Sequence, residues 1–382
     1  MTDLSLVAEL APTLAKCARD VEETRQAPKE VITRLGEAGC LRMLVPARHG
    51  GGGLPLADAL AVIEELARAD GSAGWLIGQV GLAHLLFGCF PEQAQQEVYA
   101  AGPDVWGAGA VAPKGRAAAS GDGTWRVNGQ WPFVTGCPHA QWVYLNCLVV
   151  DGRSPCLTPD GTPLTRMMLF PAAELDIEDT WHVLGLRGTA SHDVRVKGLA
   201  CPDWRGFSLD PATPQAQRAV FTIALAGLLV AASSVGIAQG ALDEVAELAA
   251  TGRRRSFSRT SMSAAPVFQD RLGEAHLRLR AARALLHEQA RASWGAVASG
   301  QQVAPLERAC LRATASQVTS LATEAVHAAF ALAGGSAVYD TSPLQRRLRD
   351  IHTAGQHFVN GRDFYATVGA LLAGAEVDPG SF

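Results

Sequence analysis

The sequence predicts an α+β chain laid out as helices, then a compact β region, then a long helical bundle. Three observations carry this. Residues 1–103 place apolar side chains at helical spacing, residues 104–210 switch to short turn-bounded runs, and from about 215 helical periodicity returns and persists. The chain has 382 residues, 48% of them hydrophobic and 18% charged. That exceeds the size at which a single core usually stops growing, so several domains are expected: 1–103 α-helical, 104–210 β, and 211–382 a helical bundle.

The first region reads as helix in "PKEVITRLGEAGCLRML" (28–44) and "LADALAVIEELARADGSAGWLIGQVGLAHLLF" (56–87), punctuated by Pro and Gly. In the second, "GDGTWRVNGQW" (121–131) sets turn signals around an alternating segment, and "WVYLNCLVV" (142–150) and "RMMLFPA" (166–172) are strand-like. In the third, Phe268, Leu272, Ala275, Leu279, Ala282, Leu286 and Ala290 form one continuous stripe, as a bundle helix needs. "AVFTIALAGLLVAASSVGIA" (219–238) has the length of a membrane span, but its Ala, Ser and Gly content reads as the central helix of a bundle.

Bulk properties exclude several functions. A net charge of −4 and a pI near 6.2 give no reason to expect nucleic acid or an anionic membrane. "MTDLSLVAEL" has neither a basic segment nor a continuous apolar run, so no secretory signal is read there. The eight cysteines follow no zinc spacing, and reduced thiols in the cytoplasm account for them. "GAGAVA" (107–112) fits a dinucleotide pattern on paper, yet loop rather than helix follows it. "HGGGG" (49–53) resembles an esterase loop, but the chain has no GxSxG, and a flexible connection is expected. In "RDIHTAGQHFVNG" (349–361), read as helix, His352 and His357 would lie about 140° apart, so they cannot chelate one metal.

Four motifs cohere in order: "GQWPFVTGCPHAQWVYLN" (129–146), "DTWHVLGLRGTASHDVRV" (179–196), "GRRRSF" (252–257) and "AGGSAVYDTSPLQRRLRDIHTAGQH" (333–357). Together they resemble the acyl-CoA dehydrogenase superfamily, and more closely its oxygenase branch, the two-component reduced-flavin-dependent monooxygenases. The resemblance implies an N-terminal helical domain, a central β-barrel-like domain and a C-terminal four-helix bundle, assembled as a homotetramer. It also implies FMNH2 or FADH2 supplied by a separate NAD(P)H-dependent flavin reductase, and no metal. With O2 this gives a C4a-hydroperoxyflavin that hydroxylates an aromatic or polyketide-like substrate.

The same resemblance implies the site. Trp131, Phe133, Val134, Thr135 and Gly136 would line the flavin, with Thr135 at the N5 edge. Trp181, Arg187 and Ser191 lie in a loop that packs on it. Arg254, with Phe257 nearby, would reach the phosphates of a neighbouring subunit's flavin, Arg255 being its rival. Gly334 and Gly335 remain from the adenosine-binding pattern QxxGGxG, which here reads "ALAGGSA" (331–337), so FMN would suffice. His84 and His357 are the catalytic candidates, His352 and Asp350 are structural, and His139 and His192 stay open. Residues 357–359 read His-Phe-Val where many relatives place a glutamate base, which removes the acid–base step of acyl-CoA desaturation. N-oxygenation of an amino sugar and an FAD-bound desaturase remain the alternatives.

Overall fold

The computed structural model describes residues 4–254, 258–299 and 303–377. Arg255 and Phe257 lie outside them. The N-terminal region holds α1 (Leu4–Thr24), α2 (Lys29–Glu37), α3 (Leu56–Ala69), α4 (Gly71–Phe87) and α5 (Glu92–Val98). Asp70 ends α3 and caps α4, its carboxylate accepting the Ala73 N–H at 3.0 Å.

Eight strands follow: β1 (Gly107–Ala119), β2 (Thr124–Trp131), β3 (Trp142–Asp151), β4 (Ser154–Pro155), β5 (Thr165–Pro171), β6 (Asp176–Glu178), β7 (Asp193–Pro202) and β8 (Gly206–Ser208). They form one mixed sheet in the order β6-β7-β2-β1-β3-β5-β8, with β4 paired to β3. β1 and β2 pair as an antiparallel hairpin, while β1 runs parallel to β3. Three-residue β6 and β8 stand at the two ends of this order. "GAGAVA" lies within β1, so no helix start follows it, but the loop expected directly after it is instead strand as far as Ala119.

The C-terminal region holds α6 (Pro214–Ala250), α7 (Pro266–Ser299), α8 (Pro305–Ala333), α9 (Pro343–Gly355) and α10 (Asp363–Leu372). The apolar window of α6 is 78% buried within the protein, against α3, α4, α7, α8 and α9. Its small residues permit that proximity. A Cβ on Gly236 would stand 2.3 Å from the Glu64 carbonyl oxygen, and one on Gly240 would stand 2.3 Å from the Arg347 guanidinium. The stripe from Phe268 to Ala290 on α7 joins the same core.

One expectation is corrected. The segment 349–361 is not one helix: α9 stops at Gly355, and His357 adopts extended dihedrals (φ −64°, ψ 139°) at the head of a short turn.

Candidate active site

The site lies where all three regions meet. After β2, Phe133 takes a left-handed conformation (φ 62°) and turns the chain so that Thr135 points inward and the Phe133 ring stays 69% exposed. Gly136, also left-handed (φ 69°), donates its N–H to Thr189 O at 2.9 Å. A Cβ there would come within 2.7 Å of Trp106 Nε1, so only glycine fits.

The loop from Asp179 to His192 forms the facing wall. Leu186 (φ 50°) and Ala190 (φ 43°) are left-handed as well, so three strained non-glycine residues stand in the two segments that meet at Thr135 and Ser191. Gly185 lies against the backbone of Arg349 and Gly188 against Val21 and Ser72, leaving no room for a Cβ at either position. Arg25 holds the loop's start, its guanidinium donating to both Asp179 carboxylate oxygens at 2.6 and 2.8 Å. His192 Nδ1 accepts the N–H groups of Thr180 and Trp181, each at 3.2 Å, which gives it a structural role. Trp181 stands edge to face against Phe133, ring centroids 6.1 Å apart, and its Nε1 donates to Leu186 O.

A run of hydroxyls lies behind the pocket. Thr135 Oγ1 and Ser191 Oγ are 2.8 Å apart, and Ser191 Oγ and Thr189 Oγ1 are also 2.8 Å apart. Trp75, from α4, donates its Nε1–H to Thr135 Oγ1 at 3.4 Å. The same indole meets the His357 ring edge to face, centroids 5.5 Å apart. Trp75 therefore joins the first helical region to the β loop and to the chain beyond α9. His357 Nδ1 accepts the Val359 N–H at 3.4 Å, so in the neutral ring the proton sits on Nε2. Burial pushes its pKa down to about 4.

Comparison with known proteins agrees with this architecture. The acyl-CoA dehydrogenase N-terminal domain model matches residues 6–101, and the C-terminal domain model matches residues 228–361. The FADH(2)-dependent resorcinol hydroxylase oxygenase component of Rhizobium sp. is 31% identical, covering 97% of this chain and 93% of that protein. The oxygenase subunit HsaA of Rhodococcus jostii is 30% identical, with 92% of each chain covered. The chain belongs to the acyl-CoA dehydrogenase superfamily, in its flavin-dependent monooxygenase branch. Among solved structures, 3-HSA hydroxylase of Rhodococcus sp. RHA1 superposes with a TM-score of 0.89 at 27% identity, covering 99% of this chain and 98% of that one. XiaF of Streptomyces sp., solved with FADH2 and glycerol, gives 0.88 at 27% identity, covering 98% and 95%.

The pocket of this acyl-CoA dehydrogenase homologue has the features a flavin ring requires. Phe133 and Trp181 offer aromatic surface, and Thr135 offers a hydroxyl. Arg187 Nε, Trp106 Nε1 and His139 Nε2 are buried without hydrogen-bond partners among the described residues. The last two belong to rings 5.3 Å apart, beside Gly136. Such orphaned polar atoms are what a bound group would satisfy.

Not every predicted residue comes to this place. Trp131 is fully buried in the sheet core, its Nε1 donating to Asn146 O at 2.7 Å, and Val134 is buried in the same cluster. Packing accounts for the burial of both side chains. His84 is 1% exposed. Its Nε2 faces the Val105 carbonyl and its Nδ1 the Tyr99 hydroxyl, each at 3.0 Å. Since a carbonyl only accepts, Nε2 carries the proton and both ring nitrogens are used. Nine residues from Trp75 is also half a rotation of the helix. The geometry is that of a satisfied core histidine.

Gly334 and Gly335 stand apart from these residues. The glycines precede α9, which at 13 residues spans about 20 Å before His357. Arg254 is exposed and bridges Ser261, and Ser261 shares a cavity of about 100 Å³ with Ala331 and Leu332 at the end of α8. Sequence reasoning missed Trp75 and Thr189. Trp75 lies outside the four motifs, and Thr189 lies within the 179–196 motif but was not singled out there.

Proposed function

We propose that this chain is the oxygenase component of a two-component system that hydroxylates an aromatic substrate. A separate NAD(P)H-dependent flavin reductase delivers the reduced flavin, and O2 is the co-substrate. The observation that carries this reading is the meeting of Trp75, Thr135 and His357, one from each region, with the Phe133–Trp181 ring pair on the same two β-region segments. Phe133 and Trp181 would hold the ring, and Thr135 would face its N5 edge. Arg187 would turn its free Nε to a polar edge.

Reduced flavin, when bound, supplies the two electrons that let one atom of O2 enter the substrate while the other leaves as water. The protein's residues do the rest. The three regions would exclude water where they meet the bound ring, which would protect reactive oxygen from loss as H2O2. His357, neutral at pH 7 and protonated at Nε2, donates a hydrogen bond to a phenolic oxygen and so orients the ring. Its depressed pKa makes it a weak base, so donation is the role the geometry favours over proton abstraction. Because an imidazole stands against Trp75, acyl-CoA desaturation has no carboxylate base from this segment.

Arg254, Gly334 and Gly335 would receive the phosphate end of a flavin from a neighbouring copy, in a homotetramer. The eight free cysteines suit a reducing cytoplasm. The test is incubation with a flavin reductase, NADH, FMN or FAD and a panel of phenols under 18O2. Products heavier by one 18O atom support the reading. Tightly held oxidised FAD that is reduced by acyl-CoA thioesters overturns it.

A further inference from the structure

The hydroxyls behind the pocket can share their protons in only one order. Thr189 Oγ1 lies 2.8 Å from the Leu186 carbonyl oxygen, and two oxygens at that distance repel unless a proton lies between them. The carbonyl can only accept, so Thr189 spends its one proton there. Ser191 Oγ, 2.8 Å from Thr189, must then donate to it, and Thr135 Oγ1, 2.8 Å from Ser191, must donate to Ser191. Trp75 Nε1–H can only donate, and it occupies one lone pair of Thr135 at 3.4 Å. Thr135 is left with a second lone pair and no proton to offer.

We propose that this directional relay makes the pocket selective for the reduced state of flavin. The inference rests on the reading above that sets the N5 edge against Thr135. Reduced flavin carries a hydrogen on N5 and is a donor there; oxidised flavin presents a lone pair at the same atom. A hydroxyl locked as an acceptor matches the first and repels the second. Trp75, Ser191 and Thr189 are therefore positioning residues, acting through Thr135. The anchor of the relay is itself fixed. Leu186 O also accepts from Trp181 Nε1 at 3.1 Å, and Leu186 N donates to Asp350 at 2.6 Å. The consequence for turnover is retention of the form the reductase supplies and release of the spent form.

The probe is FMN, titrated in its oxidised form and, anaerobically, in its reduced form, with the midpoint potential of the bound flavin as a second readout. The wild type is expected to bind reduced FMN about tenfold or more tightly than oxidised FMN. Each tenfold preference raises the potential by about 30 mV. Ser191→Ala removes the acceptor for the Thr135 proton. Thr189→Val instead turns Ser191 into a donor to Thr135. Both free that proton to face N5, so the preference falls about tenfold. Thr135→Ser keeps it. Thermal melts establish that each variant is folded, and either of the first two suffices if the other is not. Preferences within about twofold of wild type in a folded Ser191→Ala or Thr189→Val that still binds FMN overturn the relay alone. A wild type that binds neither form overturns the functional reading together with the relay.

Discussion

Asp350 on α9 accepts the main-chain N–H of Leu186 at 2.6 Å, joining positions 164 residues apart in the sequence. Burial lifts its pKa from the ordinary 3.8 to about 7. The charges of Asp70 and Glu22 push the same way, while the Leu186 N–H and Arg346 oppose them. The folded state therefore holds a proton that the unfolded chain has already lost between about pH 4 and 7. The stabilisation is complete below pH 4 and disappears as the pH rises through 7. Asp350→Asn keeps the acceptor for Leu186 and does not titrate. Urea unfolding at pH 5.5 and 8 should show the wild type losing about 2 kcal/mol more than the variant over that interval.

His84→Ala is expected to damage stability rather than chemistry. It leaves the Tyr99 hydroxyl and the Val105 carbonyl unpaired and opens a cavity beside Phe87. A loss of about 2–4 kcal/mol follows, read by denaturant unfolding. The yield of product per O2 consumed should stay at the wild-type value below the melting temperature. A fall in that yield in the folded variant would return His84 to the chemistry.

His357→Ala should leave flavin affinity unchanged, because Thr135, Phe133 and Trp181 are untouched. Product formation should fall on the order of tenfold, with the missing oxygen recovered as H2O2. An oxygen electrode with a peroxide assay measures both. Because burial holds His357 down to about 4, the rate should show no limb near pH 6.5 that disappears in this variant.

Phe133→Gly separates the two costs of that position. A left-handed non-glycine residue stores about 1 kcal/mol, which glycine relieves, although glycine gives up a similar amount as unfolded-state entropy. Stability should therefore change by less than about 1 kcal/mol, while loss of the exposed ring weakens FMN binding about tenfold. Calorimetry and a fluorescence titration report the two separately.

The sequence carried the order of the regions because hydrophobic period is a local property. The α7 stripe and the alternating segment that forms β2 need no knowledge of their partners. Thr135, Ser191 and His357 were singled out through motif resemblance, and the fold brings Thr135 to Ser191 and, through Trp75, to His357. What stayed hidden depends on contacts across the chain. Trp75 sits in a helix that is apolar on nearly every side, so periodicity cannot mark its direction. The partners of His84 are 15 and 21 residues away in a turn and a strand approach. Trp131 and Thr135 share one motif but face opposite ways, because the left-handed Phe133 lies between them. The end of α9 was misplaced because Gln356 and His357 carry no breaker, and only Gly355 signals the stop.

The wedge of Gly185 against the Arg349 backbone has a temporal meaning. The β loop cannot settle until a helix encoded 164 residues later has arrived, and long-range closure of this kind is slow. A chain still emerging from the ribosome can complete its first helices and much of its sheet. It cannot assemble the Thr135 pocket until residue 357 is out. Loading is therefore reserved for the finished polypeptide, and a prematurely terminated product would be unable to sequester flavin.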